Sequence, residues 1–311
     1  MKKILITEFM EEESVNLLAS KFEVKYNPKL SINIDDLIRE IHLYDGLIVR
    51  NKTLVNDLVL SKAINLKFIG RLGVGLDNID SDYCKKNNIF VQPATAMNAD
   101  SVAEYVINCS LSLLKKIPLM HEETINGKWP RTYITSNELR EKIIGLLGFG
   151  IIGKKVCKLA QAFGSKIVAY DPYISLDVGS EYNISLVELQ ELFDIADIIS
   201  IHLPLNHETT DLLNYKAFSQ MKKKPIIINS SRGSIVNEQD IIKAYQDSLI
   251  KGFALDVFES EPVKEKFYKK ITNNMNCILT PHIAGVTTES NKRVSQFIAD
   301  KIFKFFKETT N

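Results

Sequence analysis

Short apolar runs rich in β-branched residues alternate with amphipathic stretches along almost the whole chain, and few folds accept that pattern. KILIT, DGLIVR, LKFIG and IFVQ stand in the first hundred residues, with DDLIREI and LVNDLVLSKA between them. Beyond residue 140 come KIIGLLG, KIVAYD, DIISIHL, PIIINSS, KGFALDV and CILT, most of them separated by helical segments. Strands that are apolar on both faces need cover on both faces, which predicts βαβ units and parallel sheets in an α/β protein. At 311 residues the chain is long for one core, so two domains are expected. Between the two series lies ADSVAEYVINCSLSLLKKI, a predicted helix stopped by Pro118. The closing segment TTESNKRVSQFIADKIFKFFK puts Val294, Phe297, Ile298, Ile302 and Phe305 on one helical face. Its lysines suit a membrane surface, but a packed terminal helix is the preferred reading.

Composition narrows the function classes. A net charge of +1 makes no electrostatic case for nucleic acid as a partner. No run of 18 apolar residues is present, and MKKILITEFMEEE reaches acid too soon for a signal peptide, so a cytoplasmic protein with no membrane partner is expected. Cys84, Cys109, Cys157 and Cys277 are scattered and the histidines are far apart in sequence; no metal site is expected, and the cysteines read as reduced.

Gly148, Gly150 and Gly153 have the spacing G-x-G-x-x-G, which alone is weak evidence because such turns join many strands to helices. Here the glycines follow the strand KIIGLLG, open the helix IIGKKVCKLAQAF, and precede a strand ending in Asp171. That context predicts a dinucleotide-binding βαβ unit: Gly148 for the tight turn, Gly150 for approach of the pyrophosphate, Gly153 for close packing. Asp171 would hold the adenosine ribose, and beside a 2′-phosphate at about 4 Å it would repel by roughly 4 kcal/mol at an effective dielectric near 20, so NAD is expected over NADP.

Polar residues at the carboxyl ends of other strands carry the chemistry. INSSRGSIV holds Arg232, ALDVFESEP holds Asp256, Glu259 and Glu261, and ILTPHIAG holds His282. Arg232 can grip a carboxylate and polarise a ketone, His282 can exchange a proton with the 2-oxygen, and Glu261 would favour the imidazolium and fix its tautomer. Singly, each has a plain reading as a surface ion-pair residue, a loop charge and a capping or core histidine. Together, after a nucleotide motif, they suit reduction of a 2-oxo acid.

GLLGFGIIGKKV, YDPYIS, HLPLNHETTDLL, NSSRGSIVNE, ALDVFESEP and TPHIAG occur in one order, and in this the chain resembles the D-isomer-specific 2-hydroxyacid dehydrogenases over almost its whole length. The resemblance implies two Rossmann-like or flavodoxin-like doubly wound parallel-sheet domains. Residues 1–98 and 287–311 would form the substrate-binding domain, with an NAD-binding domain, 99–286, inserted in it. It implies catalysis by Arg232, Glu261 and His282. It also implies NAD contacts from Ile151, Ile152, Asp171, His202 and Leu203, and further contacts from Val74, Ser230, Ser231, Arg232, Asp256, His282, Ala284 and Gly285. A homodimer or homotetramer is implied too.

The segments VRNKTLV and GRLGVGLDNID are similar to those of family members that oxidise 3-phosphoglycerate, more than to those of lactate or glyoxylate reductases. Backbone N–H groups around Gly73, Val74 and Gly75 suit a carboxylate, and Arg50 and Arg71 suit a phosphate. Asn98, in PATAMNADSVAE, and Arg131, in NGKWPRTY, are further substrate candidates, although the two residues before Asn98 depart from the family pattern. The expected reaction is oxidation of D-3-phosphoglycerate to 3-phosphohydroxypyruvate. Glyoxylate or hydroxypyruvate reduction and an NAD-sensing, corepressor-like binding protein remain alternatives. A serine-sensing domain after the terminal helix is not expected, nor is feedback inhibition by serine.

Overall fold

The computed structural model describes residues 1–263, 267, 269–271 and 275–308; residues 309–311, at the end of the expected second segment of the substrate domain, lie outside them. The chain divides into two compact units, one of Met1–Asn98 and the segment from Val286 onward, the other of Ala99–Gly285. The elements before residue 99 are β1 (Lys3–Ile6), α1 (Glu12–Ala19), β2 (Glu23–Tyr26), α2 (Ile34–Glu40), β3 (Gly46–Val49), α3 (Asp57–Leu60), β4 (Phe68–Arg71), α4 (Ser81–Lys86) and β5 (Phe90–Pro93). Then follow α5 (Ala99–Leu114), α6 (Ile117–Ile125), β6 (Ile143–Leu147), α7 (Ile151–Ala162), β7 (Lys166–Tyr170), α8 (Leu176–Tyr182), β8 (Ser185–Leu186) and α9 (Leu189–Ile195). The second unit continues with β9 (Ile198–Ile201), α10 (Tyr215–Gln220), β10 (Ile226–Asn229), α11 (Glu238–Gln246), β11 (Gly252–Leu255) and β12 (Cys277–Leu279), and α12 (Thr288–Glu308) returns to the first.

In the first unit the strands pair in parallel in the order β2-β1-β3-β4-β5. Alternate residues of β1 serve opposite faces: Ile4 and Ile6 pack with Val294, Ile298, Ile302 and Phe306 of α12, while Leu5 packs with Leu37, Val59 and Leu60 of α2 and α3. Two apolar faces in one strand explain its unbroken hydrophobic run. The buried row on α12 runs Val294, Ile298, Ile302, Phe306. Phe297 and Phe305, expected on that face, are only partly buried at its flank, because the sheet follows the i, i+4 ridge and Phe306 takes the seat. The edge strand β2 escapes the sequence pattern because Glu23 and Lys25 leave it no apolar run, as charges at a sheet edge usually do.

The strand order reverses between β1 and β3, and Glu8 lies there, just beyond β1. It is 5% exposed, and its carboxylate accepts backbone N–H groups from Arg50, Asn51, Lys52 and Thr53 at 2.7 to 3.2 Å. Glu8→Ala leaves four donors in search of acceptors, and is expected to destabilise the protein by about 2 to 3 kcal/mol. An unchanged midpoint in urea unfolding would show that water replaces the carboxylate at no cost.

The second unit has a seven-stranded parallel sheet, β12-β11-β10-β9-β6-β7-β8. Leu147, Ile199, Ile227 and Phe253 pack on one face, Ile144, Ile198, Ile226 and Ile228 on the other. Helix α5 lies along α7 and over β10, β11 and β12. Pro118 does not stop this helix: α5 already ends at Leu114, Lys116 turns the chain with φ of 56°, and Pro118 sits in the first turn of α6. There the missing N–H costs nothing, since no intrahelical acceptor is available to it.

Candidate active site

The sheet of the second unit changes direction between β6 and β9, the place where open parallel sheets form a ligand crevice. Both edges of that crevice are the expected residues. Gly148 follows β6 with φ of 90°, and a Cβ there would lie 2.7 Å from the carbonyl oxygen of His202, which follows β9. A Cβ on Gly153 would lie 2.6 Å from the Gly148 carbonyl oxygen, so the start of α7 can sit this close to the turn only with glycine. Gly150, by contrast, faces open space, with nothing within 4 Å of a Cβ. It is the N-cap of α7 and supplies no side-chain cap. The first N–H groups of the helix, from Ile151, Ile152 and Gly153, therefore point toward that space, with the positive end of the helix dipole behind them. This is a fit for a pyrophosphate. The Ile151 side chain is exposed, whereas that of Ile152 packs on the core below.

Asp171 stands at the end of β7. Its carboxylate accepts the N–H of Phe149 at 2.8 Å and that of Tyr173 at 3.0 Å, so it also braces the glycine loop, a duty its sequence spacing did not reveal. His202 pairs through Nε2 with Ser200 Oγ at 3.0 Å. Desolvation pushes its pKa down to about 4, and the ring is neutral at physiological pH. Leu203 reaches the glycine turn, its Cδ2 lying 3.2 Å from where a Cβ on Gly148 would fall.

Arg232, Glu261 and His282 come from the loops after β10, β11 and β12, three adjacent strands running the same way. Neighbouring strands lie about 4.8 Å apart, so their carboxyl ends bring the three loops to one edge of the sheet. Asn229, the last residue of β10 and fully buried, shapes the first loop. Its Oδ1 accepts from the N–H of Ser231 at 3.1 Å and from the Ser231 hydroxyl at 2.9 Å, while its Nδ2 donates to the Arg232 carbonyl at 2.9 Å. Arg232 itself donates from Nη1 to the Ser231 carbonyl at 2.7 Å. Ser230 Oγ is buried with no hydrogen-bond partner among the described residues, a polar atom left over beside the arginine.

Glu261 and His282 are in contact: Nδ1 lies 2.8 Å from Oε2, and Oε1 accepts the N–H of Phe258 at 3.2 Å. Both carboxylate oxygens are thus engaged, and the ring orientation follows from them. With Nδ1 committed, Nε2 is the nitrogen available to a ligand. Glu259 has a different task, accepting the N–H of Glu238 at 3.2 Å. Asp256 is fully buried, and its oxygens accept from the Thr280 hydroxyl and from the N–H groups of Ile283 and Ala284 at 2.6 to 2.8 Å. Those bonds make it the anchor of the His282 loop. Gly285 closes this unit. Among the described residues no group of His, Cys, Asp and Glu is arranged to hold a metal ion.

The first unit carries its own polar set at the carboxyl ends of β3 and β4. Arg50 donates from Nη2 to Asn291 at 3.2 Å; burial pushes its pKa down, and Glu8 opposes that shift. Arg71 folds its guanidinium over Gly73, where a Cβ would fall 1.4 Å from Nη1, so a side chain at this position would push the guanidinium aside. Val74 is exposed and Gly75 half-buried in the loop that follows. Asn98 Oδ1 is buried without a partner among the described residues. Arg131 belongs to the second unit, in an exposed turn after α6.

A doubly wound nucleotide fold, an uncapped glycine turn at its crevice and a His–Glu pair beside an arginine define a dinucleotide-dependent enzyme of the dehydrogenase class. Residues 107–284 match the profile described as D-isomer specific 2-hydroxyacid dehydrogenase, NAD binding domain. The (S)-sulfolactate dehydrogenase of Chromohalobacter salexigens is 37% identical over 306 residues, 97% of each chain. The D-3-phosphoglycerate dehydrogenase of Archaeoglobus fulgidus is 34% identical over 305 residues, covering 98% of this chain but 57% of its own length. In structure, D-lactate dehydrogenase from Aquifex aeolicus complexed with NAD and lactic acid matches with a TM-score of 0.86 at 27% identity, over 99% of this chain and 96% of that one. The chain belongs to the D-isomer-specific 2-hydroxyacid dehydrogenases, which are oxidoreductases, and its cofactor is NAD.

Proposed function

We propose that the chain interconverts a D-2-hydroxy acid bearing a second anionic group with its 2-oxo acid, and that D-3-phosphoglycerate and 3-phosphohydroxypyruvate are that pair. The observation that carries this reading is the placement of two arginines, Arg50 and Arg71, at adjacent strand ends of the first unit, beyond what an acid with a single carboxylate needs. NAD held at the glycine turn before α7 would supply the hydride acceptor for C2. Arg232 holds the substrate carboxylate in its planar fork and polarises the 2-oxygen. His282 takes the hydroxyl proton on Nε2, and Glu261, bonded to Nδ1, compensates the charge that the ring gains. Ser230 and Ser231 would lie along the nicotinamide half of the cofactor, His202 and Leu203 would add further contacts to it, and Asp171 would meet the ribose.

The sulfolactate-oxidising relative, matched over 97% of its length, favours a second reading in which a sulfonate replaces the phosphate. Both anions call on the same arginines. Steady-state assays with 3-phosphohydroxypyruvate, sulfopyruvate, hydroxypyruvate, glyoxylate and pyruvate separate the readings, and a higher kcat/KM for an acid without the second anionic group sinks both. Arg71→Ala is expected to lower kcat/KM for the anionic acid by about 10- to 100-fold and that for pyruvate far less, since a lost charge-assisted contact costs about 1.5 to 3 kcal/mol. An equal loss on both substrates would show that Arg71 serves folding alone.

A further inference from the structure

His282 has a left-handed backbone, φ of 57°, a conformation uncommon for a residue with a Cβ. The group that braces this turn is Asp256. It grips the loop on both sides of the histidine, through the Thr280 hydroxyl two residues before and through the N–H groups of Ile283 and Ala284 just after. Thr280 has one hydroxyl proton, and that proton goes to Asp256. The 2.6 Å contact between Thr280 Oγ1 and the Tyr105 hydroxyl must then be donated by Tyr105. Donation therefore runs from Tyr105 to Thr280 to Asp256, and the N–H groups of the loop donate to the same carboxylate from the other side. Burial, aided by Cys109 one turn further along α5, pushes the Tyr105 phenol far above its usual range, so the donor proton is always present. Burial also raises the Cys109 thiol to about 11, so no thiolate competes. Since α5 lies over β10, β11 and β12, it is a firm base for the series.

We propose that Tyr105 and Thr280 are positioning residues that hold the His282 loop at the angle where its ring meets both Glu261 and the 2-oxygen of the substrate. The proposal rests on the acid–base role given to His282 above. Neither residue touches substrate. Their effect falls on kcat, since a ring displaced by a fraction of an ångström still permits binding but transfers its proton poorly.

The test uses the full chain with Tyr105→Phe, Thr280→Val and Thr280→Ser. Each variant is assayed for kcat, KM and NADH affinity, and for the downfield Nδ1 proton resonance of His282 in the protein without cofactor. Tyr105→Phe is expected to lower kcat about 10-fold, with KM and NADH affinity within about twofold, and to broaden the Nδ1 resonance. Thr280→Val should act at least as strongly, and Thr280→Ser should restore parental kcat and resonance. A parental kcat and a sharp resonance in Tyr105→Phe overturn the proposal. So does a loss in which NADH affinity falls in step with kcat while the resonance stays sharp, the mark of a merely structural contact. If Tyr105→Phe does not fold, the contrast between Thr280→Val and Thr280→Ser decides. The resonance is read without turnover, so an inactive parent chain whose resonance still responds refutes the catalytic reading and not the positioning.

Discussion

Replacing His282 with alanine is expected to lower kcat by about 10²-fold or more while leaving NADH affinity within about twofold of the parent. The size of the loss comes from the proton. Without Nε2 the hydroxyl proton must leave to water in a step otherwise driven by a base 2.8 Å from its carboxylate partner. Cofactor affinity is spared because the pyrophosphate turn and Asp171 lie at β6 and β7, several strands away in the sheet. Glu261→Gln should fall between parent and alanine variant. One amide oxygen cannot serve both the His282 ring and the Phe258 N–H, which the two carboxylate oxygens now accept separately. A protein that uses NAD only as a signal would keep its partner binding in all of these variants and show no turnover to lose. That pattern would sink the dehydrogenase reading.

The second large effect separates two glycines of one motif. Gly148→Ala meets two obstacles at once: a backbone with φ of 90°, and a Cβ 2.7 Å from the His202 carbonyl oxygen. Backbone cannot yield as a side-chain tip does, so a destabilisation of about 2 to 4 kcal/mol is expected, with weakened NAD binding as the crevice edge moves. Gly150→Ala meets neither. Its φ of −75° suits alanine, and its Cβ would enter open space. Stability should stay within about 0.5 kcal/mol of the parent or improve slightly through the unfolded state. NADH affinity should nevertheless fall about 10-fold, because the added methyl occupies the approach of the pyrophosphate. Thermal unfolding and NADH fluorescence titration on both variants give the answer. Parental NADH affinity in Gly150→Ala would mean that the phosphates do not pass over this turn.

Much of the fold was legible because its signals are local. The apolar strands of both sheets, the β6–α7–β7 unit and its three glycines are written in runs of a few residues, where burial on two faces and a tight turn each select a narrow set of side chains. The failures were also local. β2 carries the charges of an edge strand, Pro118 reads equally well as a stop or as a start, and Phe305 and Phe306 differ by one position on a helix whose seat depends on the sheet beneath it. The candidate site was legible as residue types at strand ends. What those residues lean on was not. Thr280 and Tyr105 meet across 175 residues of sequence, and Glu8 meets the Arg50 loop across 42 to 45, with no spacing rule to connect them.

Two parallel α/β units, a dinucleotide turn with its acidic partner, and an arginine, a glutamate and a histidine at strand ends followed from the sequence alone, because periodicity and turn chemistry depend on near neighbours in the chain. Which strands stand side by side was decided only in the tertiary structure. So was the structural duty of Asp256, which the fold buries beneath the His282 loop and which no local pattern announces. The physical reason is that a buried carboxylate must find its donors wherever packing has left them, and those donors come from segments whose meeting is set by burial of the whole sheet rather than by any stretch of it.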